Sequence, residues 1–205
     1  MLHELVRLRD RSIHYVLDTR PAVYYLVDRE IHGVLINTPP FAAALHEALS
    51  AIAPVKFLFM PSRRGARDLD RWREATGAES LAFEAEVSAI EGGIDIALNR
   101  KTKLTRTIDF LPMAGATEGT CALRLKNKPG GIFFGPALSP GDDGWPTLIE
   151  RPDDYSFENR LFGALGLQDL QFDYAFTDDF EPGSTRFGPG AAAEIKLRLE
   201  QALEA

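Results

Sequence analysis

Thr107-Ile-Asp-Phe-Leu-Pro-Met-Ala-Gly-Ala-Thr-Glu-Gly-Thr120 is the stretch that decides the fold, together with Cys121-Ala-Leu-Arg-Leu125 and Gly131-Ile-Phe-Phe-Gly-Pro-Ala-Leu138. Apolar and β-branched runs alternate here with turns rich in Gly, Pro and Thr, a pattern that predicts strands. We therefore expect strands at residues 104–111, 120–125 and 131–134, with a tight turn between the first two.

The chain before this stretch predicts strands followed by helices. Short β-branched and aromatic runs separated by Asp, Arg and Pro indicate an antiparallel meander. Apolar residues at helical spacing then predict helices on either side of a buried strand. The predicted segments are strands at 12–17, 23–27 and 33–37, a helix at 41–50, a strand at 55–60 and a helix at 64–75.

The later chain repeats this theme. We expect a second sheet built from residues 80–83, a strand or turn near 94–98, and the three strands of the opening stretch. A long surface loop at 136–154 precedes a helix at 155–165, a strand at 172–176 and a helix at 191–203, which has Ile195, Leu199 and Leu203 on one face. Two β-rich halves with helices outside them predict a layered α/β fold.

Residues 107–138, the stretch quoted first, resemble the centre of a metallo-β-lactamase-type hydrolase. In that family, a strand enters a Pro-Gly-His-Thr-Pro-Gly-type turn, and a later strand ends in Gly-Asp. Ala116 stands at the position of the metal-binding His, and Pro136 at that of the Asp. The resemblance implies a four-layer αββα sandwich, formed by one domain that covers residues 1–205.

The resemblance extends to the remaining ligand positions, where metal donors are again missing. Residues 33–39 resemble the strand that ends in Asp-Thr-Gly, and residues 55–68 resemble the strand that runs into His-x-His-x-Asp-His. The last metal-binding His of the family would fall near Asp178 or Asp179 in this sequence. The residues at the His-x-His-x-Asp-His positions are Pro61, Arg63, Gly65 and Ala66.

The positions of the histidines also indicate that the usual metal ligands are missing. The chain has four histidines, and none follows His46. In the family every metal ligand comes from later in the chain. We therefore expect no metal cofactor of the usual kind and assign no catalytic residue.

The arginines are the strongest positive feature. Arg63, Arg64 and Arg67 follow a predicted strand and open a predicted helix, where backbone N–H groups and the helix dipole favour an anion. Guanidinium groups hold phosphate or carboxylate groups in a bidentate manner. The alternative is a solvated helix face, with Arg64 paired to Asp68. The resemblance adds further ligand-binding candidates from the same cleft, namely Ala116, Thr117, Pro136, Asp178 and Asp179.

The composition of the chain limits the cellular location and the partners that we expect. The chain has 205 residues, 45% of them hydrophobic, with a net charge of −7 and one cysteine. No apolar stretch reaches the roughly 20 residues of a membrane span, and the N-terminus has no signal-peptide core. We expect a cytoplasmic protein without a nucleic-acid or membrane partner. Cys121, which has no late histidine to activate it, is expected to be a small core residue.

Three functional hypotheses follow. The first is a metal-free, non-catalytic pseudoenzyme that binds a small anionic ligand. The second is a divergent hydrolase of an ester, thioester or phosphoester, with oxygen ligands from Asp178, Asp179 and Glu118. The third is an assembly subunit that uses aromatic residues such as Tyr24, Phe133 and Phe162 to form a homo-oligomer or a partner interface.

Overall fold

The computed structural model describes residues 1–204, with the side chains of residues 203 and 204 outside the description. The expected apolar role of Leu203 therefore lies outside the described residues. The chain forms two compact units, Met1–Ala97 and Leu98–Ala205, and the boundary falls inside a strand. That residues 1–205 act as a single domain stays a prediction.

The first unit is a seven-stranded sheet whose strands lie side by side in chain order. Its elements are β1 (Leu2–Arg7), β2 (Arg11–Val16), β3 (Val23–Asp28), β4 (His32–Ile36), α1 (Ala43–Ile52), β5 (Val55–Met60), α2 (Leu69–Thr76), β6 (Glu79–Phe83) and β7 (Ile96–Leu98). Strands β1 to β4 form an antiparallel meander. Strands β4, β5 and β6 run parallel, so α1 and α2 serve as the crossovers that parallel pairing requires.

Two details of this sheet differ from the prediction. Residues 80–83 and 94–98 were expected in the second sheet, but they belong to the first as β6 and β7. The reason is long-range pairing, since Phe57 of β5 stands opposite Glu79 of β6. Strand β1 was not predicted, because its charged residues obscure the alternation of an edge strand.

Both helices of this unit pack on one face of the sheet. Leu49 of α1 and Leu69 and Trp72 of α2 are buried in one apolar cluster with strand residues such as Leu35 and Leu58. The Trp72 indole N–H donates to the carbonyl oxygen of Pro39 at 2.8 Å, which satisfies its polar atom inside the core.

Helix α2 begins later than predicted. Residues Arg63–Gly65 form a single 3₁₀ turn, in which the Ser62 hydroxyl accepts from the Arg64 N–H at 3.3 Å. Asp68 then adopts a left-handed conformation with φ of 45°, which interrupts the helical path before Leu69. The prediction of one helix over residues 64–75 was therefore wrong in its first turn. Arg63 and Arg64 lie in a loop, so they are not on the helix.

The second unit contains a four-stranded sheet in the order β13-β10-β9-β8 and a two-stranded β11-β12 hairpin. Its elements are β8 (Ile108–Pro112), β9 (Cys121–Leu125), β10 (Gly131–Gly135), β11 (Ser139–Pro140), β12 (Pro146–Thr147), α3 (Phe157–Leu165), β13 (Tyr174–Thr177) and α4 (Ala191–Glu204). Strand β13 is parallel to β10, with α3 in the crossover, whereas β8, β9 and β10 are antiparallel.

Helices α3 and α4 cover one face of this sheet. Ala164 of α3 and Ile195 and Leu199 of α4 are buried against sheet residues such as Ile132 and Phe134. The loop expected on the surface at 136–154 is partly internal, because residues 136–139 are buried and the β11-β12 hairpin follows them. None of the helices in the described residues has the length and apolar character that a bilayer crossing requires.

Two of the three aromatic residues that the assembly-subunit hypothesis placed at an interface are buried. Tyr24 is 2% exposed and Phe133 is 1% exposed, so both are core residues that a partner cannot reach. Phe133 stacks on Phe176 with ring centroids 4.7 Å apart. Phe162 alone is exposed, at 64%. The sequence could not separate these cases, because all three residues have the same aromatic character.

Candidate functional site

One end of the four-stranded sheet carries the predicted residues of the second unit. Strand β8 ends at Pro112 opposite Cys121, the first residue of β9, so the turn with Ala116 and Thr117 lies at this end. Strands β10 and β13 also end here, where Gly135 pairs with Thr177. The sheet therefore brings the 113–120 turn, Pro136 and Asp178 to one end of the sheet, and the cleft predicted between this end and residues 61–66 stays a prediction.

The 113–120 turn is closed by its own hydroxyl groups. The Thr120 hydroxyl accepts from the Thr117 N–H at 2.8 Å and lies 2.8 Å from the Thr117 hydroxyl. Ala116 is 2% exposed and Thr117 is 1% exposed. The resemblance assigns Ala116 to the histidine position, and its methyl group has no metal-binding atom.

The two late aspartates have different environments. Asp178 is 7% exposed, and its N–H donates to the Gly135 carbonyl at 3.0 Å, which places it beside the end of β10. The Asp179 carboxylate forms an ion pair with Arg151. Arg151 also donates to the Ser139 hydroxyl at 2.8 Å. Asp179 is thus engaged within the protein.

The buried residue Arg160, which no sequence pattern indicated, connects the loops at this end of the sheet. Arg160 of α3 is 1% exposed. Its guanidinium donates to the Ala137 carbonyl at 2.9 Å, to the Ile149 carbonyl at 2.8 Å and to the Asp154 carboxylate at 2.5 Å. A Cβ on Gly115 would lie 2.2 Å from the Arg160 Cγ. Arg160 therefore fixes the segment after Pro136 against the turn that carries Ala116.

In the first unit, side chains hold the backbone of the arginine loop at residues 61–67. The Arg63 N–H donates to the Glu86 carboxylate at 2.6 Å, and the Arg67 N–H donates to the Thr38 hydroxyl at 2.9 Å. The carbonyl oxygen of Gly65 accepts from the Thr38 N–H at 2.8 Å. The backbone N–H groups expected to bind an external anion are therefore already satisfied at Arg63 and Arg67.

The arginine side chains remain accessible. Arg63 and Arg67 are exposed, and Arg64 is half-buried. Within the described residues, the guanidinium groups of Arg63 and Arg67 contact no carboxylate. The predicted Arg64 to Asp68 pair is not observed, because the Asp68 carboxylate accepts from the Phe41 N–H at 2.9 Å and pairs with Arg71. The loop can offer cationic side chains from a fixed backbone.

The other reactive side chains, Cys121, His14 and His46, are buried or packed against other side chains. Cys121 is fully buried, and this burial raises the pKa of its thiol above the ordinary value, which disfavours the nucleophilic thiolate. His14 is 6% exposed, and burial lowers the pKa of its imidazole. His14 lies 2.9 Å from the Ser12 hydroxyl. His46 contacts the edge of Trp72, with ring centroids 6.5 Å apart.

Comparison with solved structures identifies the architecture. A subclass B3 metallo-β-lactamase of Bradyrhizobium japonicum superposes with a TM-score of 0.66 at 14% identity, covering 97% of this chain and 93% of that chain. The chain has the metallo-β-lactamase fold. A Cronobacter sakazakii metallo-β-lactamase gives a TM-score of 0.66 at 13% identity, covering 94% of this chain and 90% of that one.

A third metallo-β-lactamase-fold structure, the class B3 di-zinc enzyme LRA-12 from an Alaskan soil metagenome, gives a TM-score of 0.64 at 15% identity. The superposition covers 94% of this chain and 87% of LRA-12. No family model matches the sequence, and no curated protein matches it. The predicted fold class is thus confirmed by structure alone.

The side chains of this metallo-β-lactamase fold do not fit a zinc centre. Such a centre needs imidazole, thiolate or carboxylate donors at roughly 2 Å from the metal. The residues that the sequence resemblance assigns to ligand positions include Pro61 and Gly65 in the first unit and Ala116 and Pro136 in the second, and none of them has a donor side chain. Across the described residues, no group of three His, Cys, Asp or Glu side chains is arranged to hold a metal ion.

Proposed function

We propose that this protein is a binding protein with the metallo-β-lactamase fold, which holds a small anionic ligand and does not carry out metal-dependent hydrolysis. The ligand contacts come from the guanidinium groups of Arg63 and Arg67, with Arg64 beside them. The observation that carries the proposal is that Arg63 and Arg67 are exposed and contact no carboxylate within the described residues. Other arginines of this unit, such as Arg71 and Arg73, form ion pairs.

The geometry of the loop supports this assignment. Its backbone is held by Glu86 and Thr38, so binding needs to order only the arginine side chains. A guanidinium group binds phosphate or carboxylate through paired N–H donors. It does not deprotonate near neutral pH, so it cannot generate the hydroxide that a metal-bound water supplies.

Ligand contacts from Ala116, Thr117, Pro136, Asp178 and Asp179, all in the second unit, stay a separate prediction that this proposal does not use. Asp178 is the residue of this group that the hydrolase alternative most needs, because Asp179 pairs with Arg151 and the other three residues have no carboxylate. A cytoplasmic location and a homo-oligomeric state also stay predictions.

Thermal shift with pyrophosphate, citrate and adenosine phosphates tests the anion site. We expect at least one anion to raise the Tm of the wild type. The Arg63→Ala/Arg67→Ala variant should bind that anion about tenfold to a hundredfold more weakly, the loss expected for charged hydrogen bonds. Arg9→Ala/Lys56→Ala removes the same charge from exposed sites elsewhere and should bind normally.

Equal weakening in both variants, or no stabilisation by any of these anions, contradicts the proposal. Elemental analysis of the purified protein for bound metal is the second test. About one zinc, iron or manganese ion per chain, lost together with esterase or phosphodiesterase activity in Asp178→Ala, would establish the hydrolase alternative instead.

A further inference from the structure

A second cationic surface lies in the other unit, and it is independent of the arginine loop. It consists of Arg100, Lys101, Lys103, Arg106 and Lys128, which we call the basic end surface. The sequence contains no acidic residue between Asp95 and Asp109, and none between Asp109 and Glu118 or from there to Asp142.

The fold brings the two segments of the basic end surface together. Residues 99–107 lead into β8, and residues 126–130 form the turn between β9 and β10. Ile108 pairs with Leu125, and the Lys126 N–H donates to the Thr107 carbonyl at 2.9 Å. Both segments therefore lie at the end of the four-stranded sheet opposite to the one that carries Pro136.

The five side chains are exposed and have no internal counter-charge. Within the described residues none of them forms an ion pair. The nearest carboxylate in sequence, Asp109, is occupied by Arg124 at 2.6 Å and by Lys126 at 3.5 Å. The positive charge of this surface is thus available to an external partner.

The longer segment is ordered by its own polar side chains. The Lys101 N–H donates to the Asn99 side-chain oxygen at 2.9 Å, and the Asn99 N–H donates to the Thr102 hydroxyl at 3.1 Å. The Thr105 hydroxyl accepts from the Ile108 N–H at 3.1 Å. A fixed backbone lowers the entropy lost when a partner binds.

The rest of the protein has the opposite charge. The whole chain carries −7, so without these five cations the remainder carries −12. A concentrated basic surface on an acidic protein attracts a partner whose negative charge is local, because charges separated by more than roughly 8 Å are largely screened at physiological salt.

We infer that the basic end surface binds an acidic segment of a partner protein, a short run of Asp and Glu residues. Stiff duplex DNA continues beyond a surface of this size, and the rest of the chain carries a net negative charge that repels it. Single-stranded nucleic acid binds largely through stacking on aromatic side chains, and neither segment contains an aromatic residue. A flexible acidic peptide can keep all of its charges on the basic end surface.

Fluorescence anisotropy with a labelled oligoglutamate peptide tests this inference. The wild type should bind the peptide at low ionic strength and lose affinity as salt increases. Lys101→Glu/Arg106→Glu should weaken binding about tenfold or more, a change of about 1.4 kcal/mol. The matched control, Lys56→Glu/Arg9→Glu, makes the same charge change outside the surface and should stay within about twofold of wild type.

Three outcomes would overturn the inference. They are no peptide binding at low ionic strength, equal weakening in the two reversal variants, and tighter binding of duplex DNA or oligothymidylate than of the peptide. Circular dichroism of each variant verifies folding. Arg63→Ala/Arg67→Ala should bind the peptide normally, which separates this surface from the proposed anion site.

Discussion

The backbone N–H of Arg63 donates across 2.6 Å to the carboxylate of Glu86, whose side chain is completely buried. The protein's own carboxylate therefore takes the backbone donor that the sequence analysis assigned to an external anion. Glu86 comes from the 3₁₀ turn Glu84–Ala89, which follows β6. It joins the ends of two neighbouring parallel strands, and any external anion must rely on the arginine side chains.

We expect Glu86→Ala to lower the free energy of unfolding by about 2–4 kcal/mol, because it leaves the Arg63 N–H without its charged acceptor and opens a cavity in place of a buried side chain. Urea denaturation measures this change. Glu84→Ala, at an exposed position of the same turn, should change the free energy by less than about 0.5 kcal/mol. Similar losses in both variants would show that the Glu86 contact has no special role.

Arg160→Met should destabilise the protein by about 3–5 kcal/mol, since it leaves the Asp154 carboxylate buried without its counter-charge. The double variant Arg160→Met/Asp154→Leu should lose less than the sum of the two single variants, as expected for coupled residues. Additive losses in chemical denaturation would argue against this coupling. Arg29→Met, from an exposed pair at 3.8 Å, serves as the control and should change little.

Gly115→Ala should cost about 2–4 kcal/mol. Its φ is 139°, and a Cβ would lie 2.6 Å from both the Arg160 nitrogen and the Ser156 carbonyl oxygen, which are backbone atoms that cannot easily move. Gly77→Ala is the comparison, because Gly77 has a φ of 65° but open space around it. It should cost about 1 kcal/mol. Equal Tm losses would mean that backbone conformation, and not the close contact, limits position 115.

Asp95 should contribute to stability at neutral pH and not in acid. The backbone N–H of Ser80 donates to its carboxylate at 2.8 Å and, with further hydrogen bonds from Arg73 and the Ser80 hydroxyl, holds the pKa of Asp95 below its usual value. The unfolded chain therefore binds the proton more readily, so this stability is present above the ordinary pKa and disappears as the pH falls through the lowered one.

Urea unfolding of Asp95→Asn measures this dependence. We expect a loss of stability at neutral pH that shrinks towards zero in acid, whereas Asp142→Asn, at an exposed position, should follow the wild type at every pH. A loss that does not depend on pH would assign the effect of Asp95→Asn to altered hydrogen-bond geometry instead of charge.

The sequence alone determined several features of this protein. The buried strand Val55–Met60 and the meander before it follow from apolar runs with clear boundaries, and both are present in the structure. The absence of histidine after His46 and the residues Ala116 and Pro136 are also matters of sequence. Such features depend on residue type and local order, and the four-layer fold class was implied by the family resemblance that these residues carry.

Only the tertiary structure decided which strands share a sheet and which polar groups meet. Glu79–Phe83 joins the first sheet through parallel pairing with a strand more than 20 residues away, and local periodicity contains no information about such a partner. Glu86 and Arg160 have no distinguishing sequence pattern. Their roles arise because folding removes them from water, and a buried charge must then find a hydrogen-bond partner wherever the chain supplies one.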